Sequence, residues 1–198
     1  MSDLTQLFRE KAELIAAKVI DIKSMDEAFA YAAEYCADKN PCELLIPSSP
    51  DAKQPEFATE KIMAAPELSD DQFAALKKAC EAKDIKLIKS GMRDLMAGID
   101  VGFTIANGGL CDTGSIIQQS NGEELRLATM VSETHIAVLS ASALYEDSIA
   151  AEKLLLELME GVAYTAFISG PSRTADIERT LAIGAHGPLE LHILLLED

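Results

Sequence analysis

Two apolar runs near the C-terminus, Val162–Phe167 and Leu189–Leu196, constrain the fold of this chain more than any other feature. Neither shows the polar alternation of a half-buried strand. Nearly continuous runs of this kind suit strands buried on both faces of a parallel sheet. Between them lies Ile168–Pro188, a segment rich in special residues. Gly170 and Pro171 punctuate the end of the first run. Ser172 and Thr174 are both helix N-cap candidates, because their hydroxyls can accept from the free N–H groups of a first turn. His186-Gly187-Pro188 forms a corner ahead of the last strand. A strand–helix–strand connection of this length predicts an α/β fold, a three-layer α/β/α sandwich.

The rest of the chain fits that class. Leu4, Leu7, Phe8, Ile15, Val19 and Ile22 recur at helical spacing and predict an amphipathic helix over residues 3–22. Ser24 and Glu27 predict a capping box at the start of a second helix, which Pro41 stops. Residues 1–40 thus read as a helical N-terminal part of a single domain over 1–198. Glu43–Ile46 reads as a strand, and Pro47–Pro55 as a loop. Ser69 and Gln72 repeat the capping signal, with Phe73, Leu76 and Cys80 on the buried face of the helix that follows. Further strands are predicted at Ile85–Ile88, Val101–Ala106, Leu110–Ile117, Leu125–Val131, Ile136–Leu139 and Ala163–Ser169. Asn121-Gly122 is a turn signal. Ser148–Met159 reads as a helix with Ile149, Leu155 or Leu156, and Met159 facing inward.

Composition narrows the function. The net charge of −16 argues against nucleic acid or an anionic membrane as a general partner. A local cation such as Arg173 would stand out in that field. The four cysteines, Cys36, Cys42, Cys80 and Cys111, form no Cys-x-x-Cys pair, so no iron–sulfur or zinc site of ordinary spacing is written in the chain. No metal site is expected. There is no apolar run of membrane-spanning length and no secretory pattern, so a cytoplasmic protein is expected.

Three constellations can carry chemistry. Arg173 beside a helix start at Ser172–Asp176 makes an anion-binding corner. An ordinary capped helix with a surface arginine is the plainer alternative. Cys111-Asp112-Thr113-Gly114-Ser115 sets a carboxylate, Asp112, on a small-residue turn, where it can act as nucleophile or base. Gly114 there allows a ligand or another backbone to approach closely. Cys111 reads as a buried, inert thiol. His186 on its Gly-Pro corner can reach a ligand or cap a helix C-terminus. His135 and His192 lie in strands and read as hydrogen-bonded core members.

Ser172-Arg173-Thr174-Ala175-Asp176-Ile177-Glu178, His186-Gly187-Pro188 and the closing Leu191-His192-Ile193-Leu194-Leu195 resemble the C-terminal signature of the lactate utilization protein C family, within the LUD-domain group. Val101-Gly102-Phe103-Thr104 through Thr113-Gly114-Ser115 resembles a second pattern of that family. The similarity runs from about Asp21 to the C-terminus, with its specific motifs inside 101–196. It implies a fold like that of ribose-5-phosphate isomerase and the CoA transferases. It implies an accessory part in oxidising L-lactate to pyruvate, beside two partner proteins that bear the iron–sulfur clusters; this chain would carry no cofactor. On this resemblance Thr113, Gly114, Ser172, Arg173, Thr174 and His186 are the ligand-binding candidates, with Asp112 and His186 the catalytic ones. Cys111-Asp112 stands where the family has Ala-Glu, which shortens the carboxylate by a methylene. The alternative is a free-standing enzyme or sensor that binds a phosphorylated or CoA-linked small anion.

Overall fold

The computed structural model describes residues 3–43, 58–95, 98–161, 163–174, 182–183 and 187–197, with backbone alone at 174, 182 and 183. In chain order the elements are α1 (Asp3–Leu14), β1 (Lys18–Ile22), α2 (Met25–Asp38), β2 (Lys61–Ala64), α3 (Asp70–Glu81), β3 (Ile85–Ile88), β4 (Ile99–Ile105), β5 (Gly108–Leu110) and β6 (Ser115–Ser120). There follow α4 (Glu123–Met130), β7 (Ser132–Ser140), β8 (Leu144–Tyr145), α5 (Glu152–Met159), β9 (Tyr164–Ile168), β10 (Arg173–Thr174), β11 (Ala182–Ile183) and β12 (Glu190–Leu196).

The α/β class expected from the pattern is the one observed. Six strands form a sheet in the order β1-β12-β7-β4-β2-β3, and every adjacent pair is parallel. On one face α2 and α3 bury Phe29, Ala32, Leu76 and Cys80 against Val101, Phe103, Ile136, Val138 and Leu194. On the other, α1 lays Phe8 and Ala12 over Val19, Ala137, Leu191 and Ile193. α4 covers the β4–β7 junction beside it, so closely that a Cβ on Gly102 would lie 2.0 Å from the Ala128 carbonyl. A second sheet, β8-β5-β6-β9, also stacks on this face. Its far side is covered by Leu154, Leu155 and Leu158 of α5.

Asp100 clamps the amino ends of β2 and β4. It is fully buried, and its carboxylate accepts from Lys39 Nζ at 2.7 Å, Cys42 N at 3.1 Å and Ile62 N at 2.8 Å. Both oxygens of the buried carboxylate thus meet donors, which offsets its desolvation.

Several expectations are corrected. The predicted helix over 3–22 ends at Leu14, and its second half is β1, an edge strand of the main sheet. Ala16 takes φ 67°, and the Ala17 and Ala16 amides bond back to Ala12 and Glu13. This is a Schellman end built without glycine. Ile15, Val19 and Ile22 happen to match a helical repeat, which hid the break. The predicted strand Leu125–Val131 is α4. Glu123 and Glu124 in its first turn favour the helix dipole, and the Glu124 carboxylate accepts from the Gly91 and Met92 amides. Leu110–Ile117 is split by a turn at residues 111–114. The helix predicted from Ser148 begins at Glu152, and Ile149, Leu156 and Met159 are exposed at 80%, 57% and 74%.

The final run, β12, is a doubly buried parallel strand as expected, but the run before it is not. β9 pairs antiparallel with β6 in the second sheet and exposes Tyr164 and Phe167. Nor does a helix start at Ser172, since Arg173 and Thr174 are extended and pair antiparallel with Ile183 and Ala182. Residues 175–181, as well as the predicted loop Pro47–Pro55 and Leu44–Ile46, lie outside the described residues. The capping boxes hold at Ser69–Gln72 in full and at Ser24 in part: Ser24 accepts from Glu27 N, while the Glu27 carboxylate turns back to Lys23 N.

Candidate functional site

The residues singled out from the motifs gather at the amino ends of β1 and β12. The turn that joins β5 to β6 is pinned by Cys111 N and Asp112 N, which donate to the carbonyls of Tyr145 and Glu146 at 2.8 and 2.9 Å. Gly114 has φ +65°, and a Cβ there would lie 2.3 Å from Ala12 N. The close approach that glycine permits is therefore made by the α1 backbone. Gly170 does the same one loop away: φ is +72°, and a Cβ would lie 2.2 Å from the Ile15 carbonyl oxygen. The two glycines thus seat both loops against the C-terminal end of α1.

A hydroxyl relay joins the loops. Ser115 donates to Thr113 Oγ1 at 2.9 Å, and Ser169 lies 2.6 Å from Ser115 Oγ. With the Ser115 proton committed to Thr113, Ser169 is the donor in the second contact. Arg173 is exposed, and its Nη2 lies 3.5 Å from the position a Gly170 Cβ would take. Ser172 is half-buried; its N–H donates to the Pro188 carbonyl at 2.9 Å, and its Cβ lies 3.2 Å from the Cβ position of Gly187. So Thr113, Gly114, Ser172 and Arg173 share one corner. Asp112 is exposed on the same turn, and no hydrogen bond or ion pair links it to Arg173 among the described residues. His186 and the Thr174 side chain lie outside the described residues.

Ser115 and Ser169 are what the motif reading missed as partners. Their signal was a small hydroxyl residue next to each positive-φ glycine. All four cysteines are buried, and burial pushes the Cys36 and Cys80 thiols up to about 12 and the Cys111 thiol up to about 11. Among the described residues no group of His, Cys, Asp and Glu is placed to hold a metal ion. None of the described helices is long and apolar enough to cross a membrane.

The two core histidines differ. His192 faces α2. Its Nδ1 meets Tyr31 Oη at 3.0 Å and its Nε2 meets Glu190 Oε2 at 2.8 Å. The rings of Tyr31 and Tyr35 stand edge-on to it. His135 faces the second sheet. Its Nε2 lies 2.8 Å from Thr104 Oγ1, while its Nδ1 has no partner among the described residues. Burial pushes His135 down to about 4, so the ring is neutral near pH 7. A buried hydroxyl needs an acceptor for its proton, so Thr104 donates to Nε2 and the ring proton sits on Nδ1.

The LUD domain family model matches residues 5–196. An uncharacterized protein of Neisseria meningitidis serogroup B is 38% identical over 107 residues, 52% of this chain and 45% of that protein. Lactate utilization protein C of an Exiguobacterium species is 31% identical over 110 residues, 54% of this chain and 48% of its own length. These matches span about half of each relative. Lactate utilization protein C of Geobacillus thermodenitrificans is 26% identical over 200 residues, which cover 99% of this chain and 79% of that protein. The crystal structure of a DUF162 family protein from Deinococcus radiodurans superposes with a TM-score of 0.59 at 14% identity, covering 99% of each chain. At that identity the likeness concerns the fold.

Proposed function

The chain belongs to the LUD domain family, and from that premise we propose that it serves in lactate utilization, in the cytoplasm, as an accessory subunit of a system that oxidises L-lactate to pyruvate. The observation that carries this reading is similarity to a lactate utilization protein C along 99% of the chain. In this reading the electron-transferring iron–sulfur clusters sit on partner proteins. The buried cysteines of this chain, held as thiols by their surroundings, take no part. The corner of Arg173, Ser172 and the Ser169–Ser115–Thr113 relay supplies a cation and oriented hydroxyls to a small anion. The side chains of Thr174 and His186 belong to the same proposed set, and Asp112 is the carboxylate available to it.

The test is deletion of the gene in its own host, with growth on L-lactate as sole carbon source. Growth is lost and restored by the wild-type chain, which also co-purifies with iron–sulfur proteins. Undiminished growth sinks the reading.

A second reading is favoured by Arg173 lying over Gly170 at an exposed corner. Here the chain is a free-standing enzyme or sensor for a phosphorylated or CoA-linked anion. Inorganic phosphate and coenzyme A then raise the melting temperature of the wild type and not of Arg173→Ala. No shift with either probe in the wild type refutes it.

A further inference from the structure

The two larger sheets end on β1, β3, β8 and β9, and these four edges are not finished alike. An edge strand offers unpaired N–H and C=O groups to any passing strand, and folds blunt it with charge, shortness, proline or a bulge. On β1, Lys18 and Asp21 are ion-paired with Glu190 and Arg9, and Arg9 Nη1 also donates to the Val19 carbonyl at 2.6 Å. β3 carries Lys86, paired with Glu60 at 3.2 Å. β8 is two residues long. β9 has none of these devices. Its five residues, Tyr164–Ile168, include no charge and no proline, and each pairs in unbroken register with β6, so there is no bulge. Antiparallel pairing to β6 uses alternate backbone groups of β9 and turns the others outward. No described strand lies beyond them.

The side chains at this edge are apolar as well. Five of the eight large hydrophobic side chains exposed among the described residues are Ile149, Leu156, Met159, Tyr164 and Phe167. Phe167 pairs with Ile117, and directly paired residues project to one face. That is the face on which α5 packs, yet Phe167 stays half exposed. Tyr164 pairs with Ser120 and projects to the other face, where the Arg126 guanidinium lies 6.0 Å from the ring centre. The charge on the α5 side is one-sided. Residues 146–168 carry Glu146, Asp147, Glu152, Glu157 and Glu160 against Lys153 alone.

We infer that β9 is a docking edge for an extended segment of another protein in which basic and apolar residues alternate. The segment adds a strand beyond β9 through its backbone. Its basic side chains, on the α5 face, lay their stems over Phe167 and reach the acids of α5. Its apolar side chains, on the other face, pack beside Tyr164, where Arg126 would repel a base. A second copy of this chain fits poorly. Two-fold pairing of β9 with itself sets both α5 helices on one face of the joined sheet, acids beside acids, in a chain of net charge −16. The inference stands whether or not the chain serves in lactate utilization.

The test is amide hydrogen exchange of the full-length protein, read by nitrogen-15 NMR, with three synthetic heptapeptides: lysine alternating with valine, glutamate alternating with valine, and lysine alternating with proline. The lysine–valine peptide is expected to slow exchange along β9. The glutamate–valine peptide has the wrong charge and the lysine–proline peptide cannot pair as a strand, so each binds at least about tenfold more weakly. Phe167→Lys is expected to fold, because the ring is half exposed, and to lower the affinity for the lysine–valine peptide about tenfold. Glu157→Lys combined with Glu160→Lys, both exposed on α5, is expected to do the same and leaves β9 itself intact. β9 amides indifferent to the lysine–valine peptide at millimolar concentration overturn the inference. So does equal binding of the lysine–proline peptide, which would make the contact a diffuse ionic one. Protection of β9 that grows with protein concentration and needs no peptide overturns it in favour of a second copy. Growth on lactate after deletion tests the earlier reading alone and leaves each of these outcomes unchanged.

Discussion

His135 and His192 stand on neighbouring strands of one sheet, a single step apart in register: His135 lies opposite Leu191, and His192 opposite Ile136. They point to opposite faces. On the α2 face both nitrogens of His192 are bonded and two tyrosine rings enclose it. On the α4 face one nitrogen of His135 is bonded, and the other has no described partner. Residue type, strand environment and burial are matched, so the difference lies in what each face supplies. The α2 face is finished as packing. The α4 face leaves a buried ring nitrogen without a described partner.

Acid should separate the two most sharply. His135 is held at about 4 against an ordinary 6.5. A base whose folded pKa is depressed leaves the unfolded chain holding the extra proton. Stability is therefore full above pH 6.5, falls as pH drops toward about 4, and is flat below. At about 1.4 kcal/mol per pH unit the loss over that window is about 3 kcal/mol. Urea midpoints measured across it should show this slope in the wild type and lose it in His135→Leu. Burial also lowers His192, but its hydrogen bond to Glu190 pulls the other way. His192→Leu should therefore remove a smaller slope, and equal slopes in the two variants would break the comparison.

The α4 face is open in hydrogen bonding and tight in backbone. Gly102 is the residue opposite His135 in register, and an added Cβ would meet the Ala128 carbonyl. Gly102→Ala should cost about 1–3 kcal/mol, the range for overpacking, and shift the His135 ring resonances as α4 lifts. A neutral substitution would show that α4 is loosely seated.

These contrasts were not equally legible in the amino-acid pattern. The α3 cap was, because Ser69 and Gln72 act within one turn. So was β12, whose apolar run is long enough to demand burial on both faces. β9 was misread, since a short apolar run does not tell a central strand from an edge one. The break after Leu14 escaped because Ala16 takes a left-handed conformation that glycine usually signals. At the corner, Thr113, Gly114 and Arg173 were visible as motif residues, but not that the open side of Gly114 is taken by the α1 backbone. The state of His135 was out of reach. Its one ring partner among the described residues, Thr104, lies 31 residues away, and nothing local distinguishes it from His192.

A variant can also turn one histidine into the other. Tyr31→Phe removes the partner of His192 Nδ1 and leaves a buried nitrogen unsatisfied, as in His135. The expected loss is about 1–2 kcal/mol at neutral pH, read from urea midpoints. A loss near zero would mean that the α2 face tolerates an orphan as readily as the α4 face, and hydrogen bonding would no longer set the two faces apart.

The smallest effect belongs to Glu190, the other partner of His192. Burial raises its carboxyl, but hydrogen bonds from Lys18 and His192 outweigh that and hold it below 4.5. The stability it contributes is present above 4.5 and lost as pH falls through its folded value. That window opens at 4.5, near the bottom of the one in which His135 acts, so the variants separate the two contributions. Glu190 is 40% exposed and Lys18 59%. Solvent screens the pair, and Glu190→Gln should cost no more than about 0.5 kcal/mol at pH 7. The amide can still accept from the ring, so the Tyr31 bond and the neutral state of His192 persist. If Glu190→Gln instead costs as much as Tyr31→Phe, the carboxylate is the main lock on His192, and the two faces differ by a charge rather than by a completed set of hydrogen bonds.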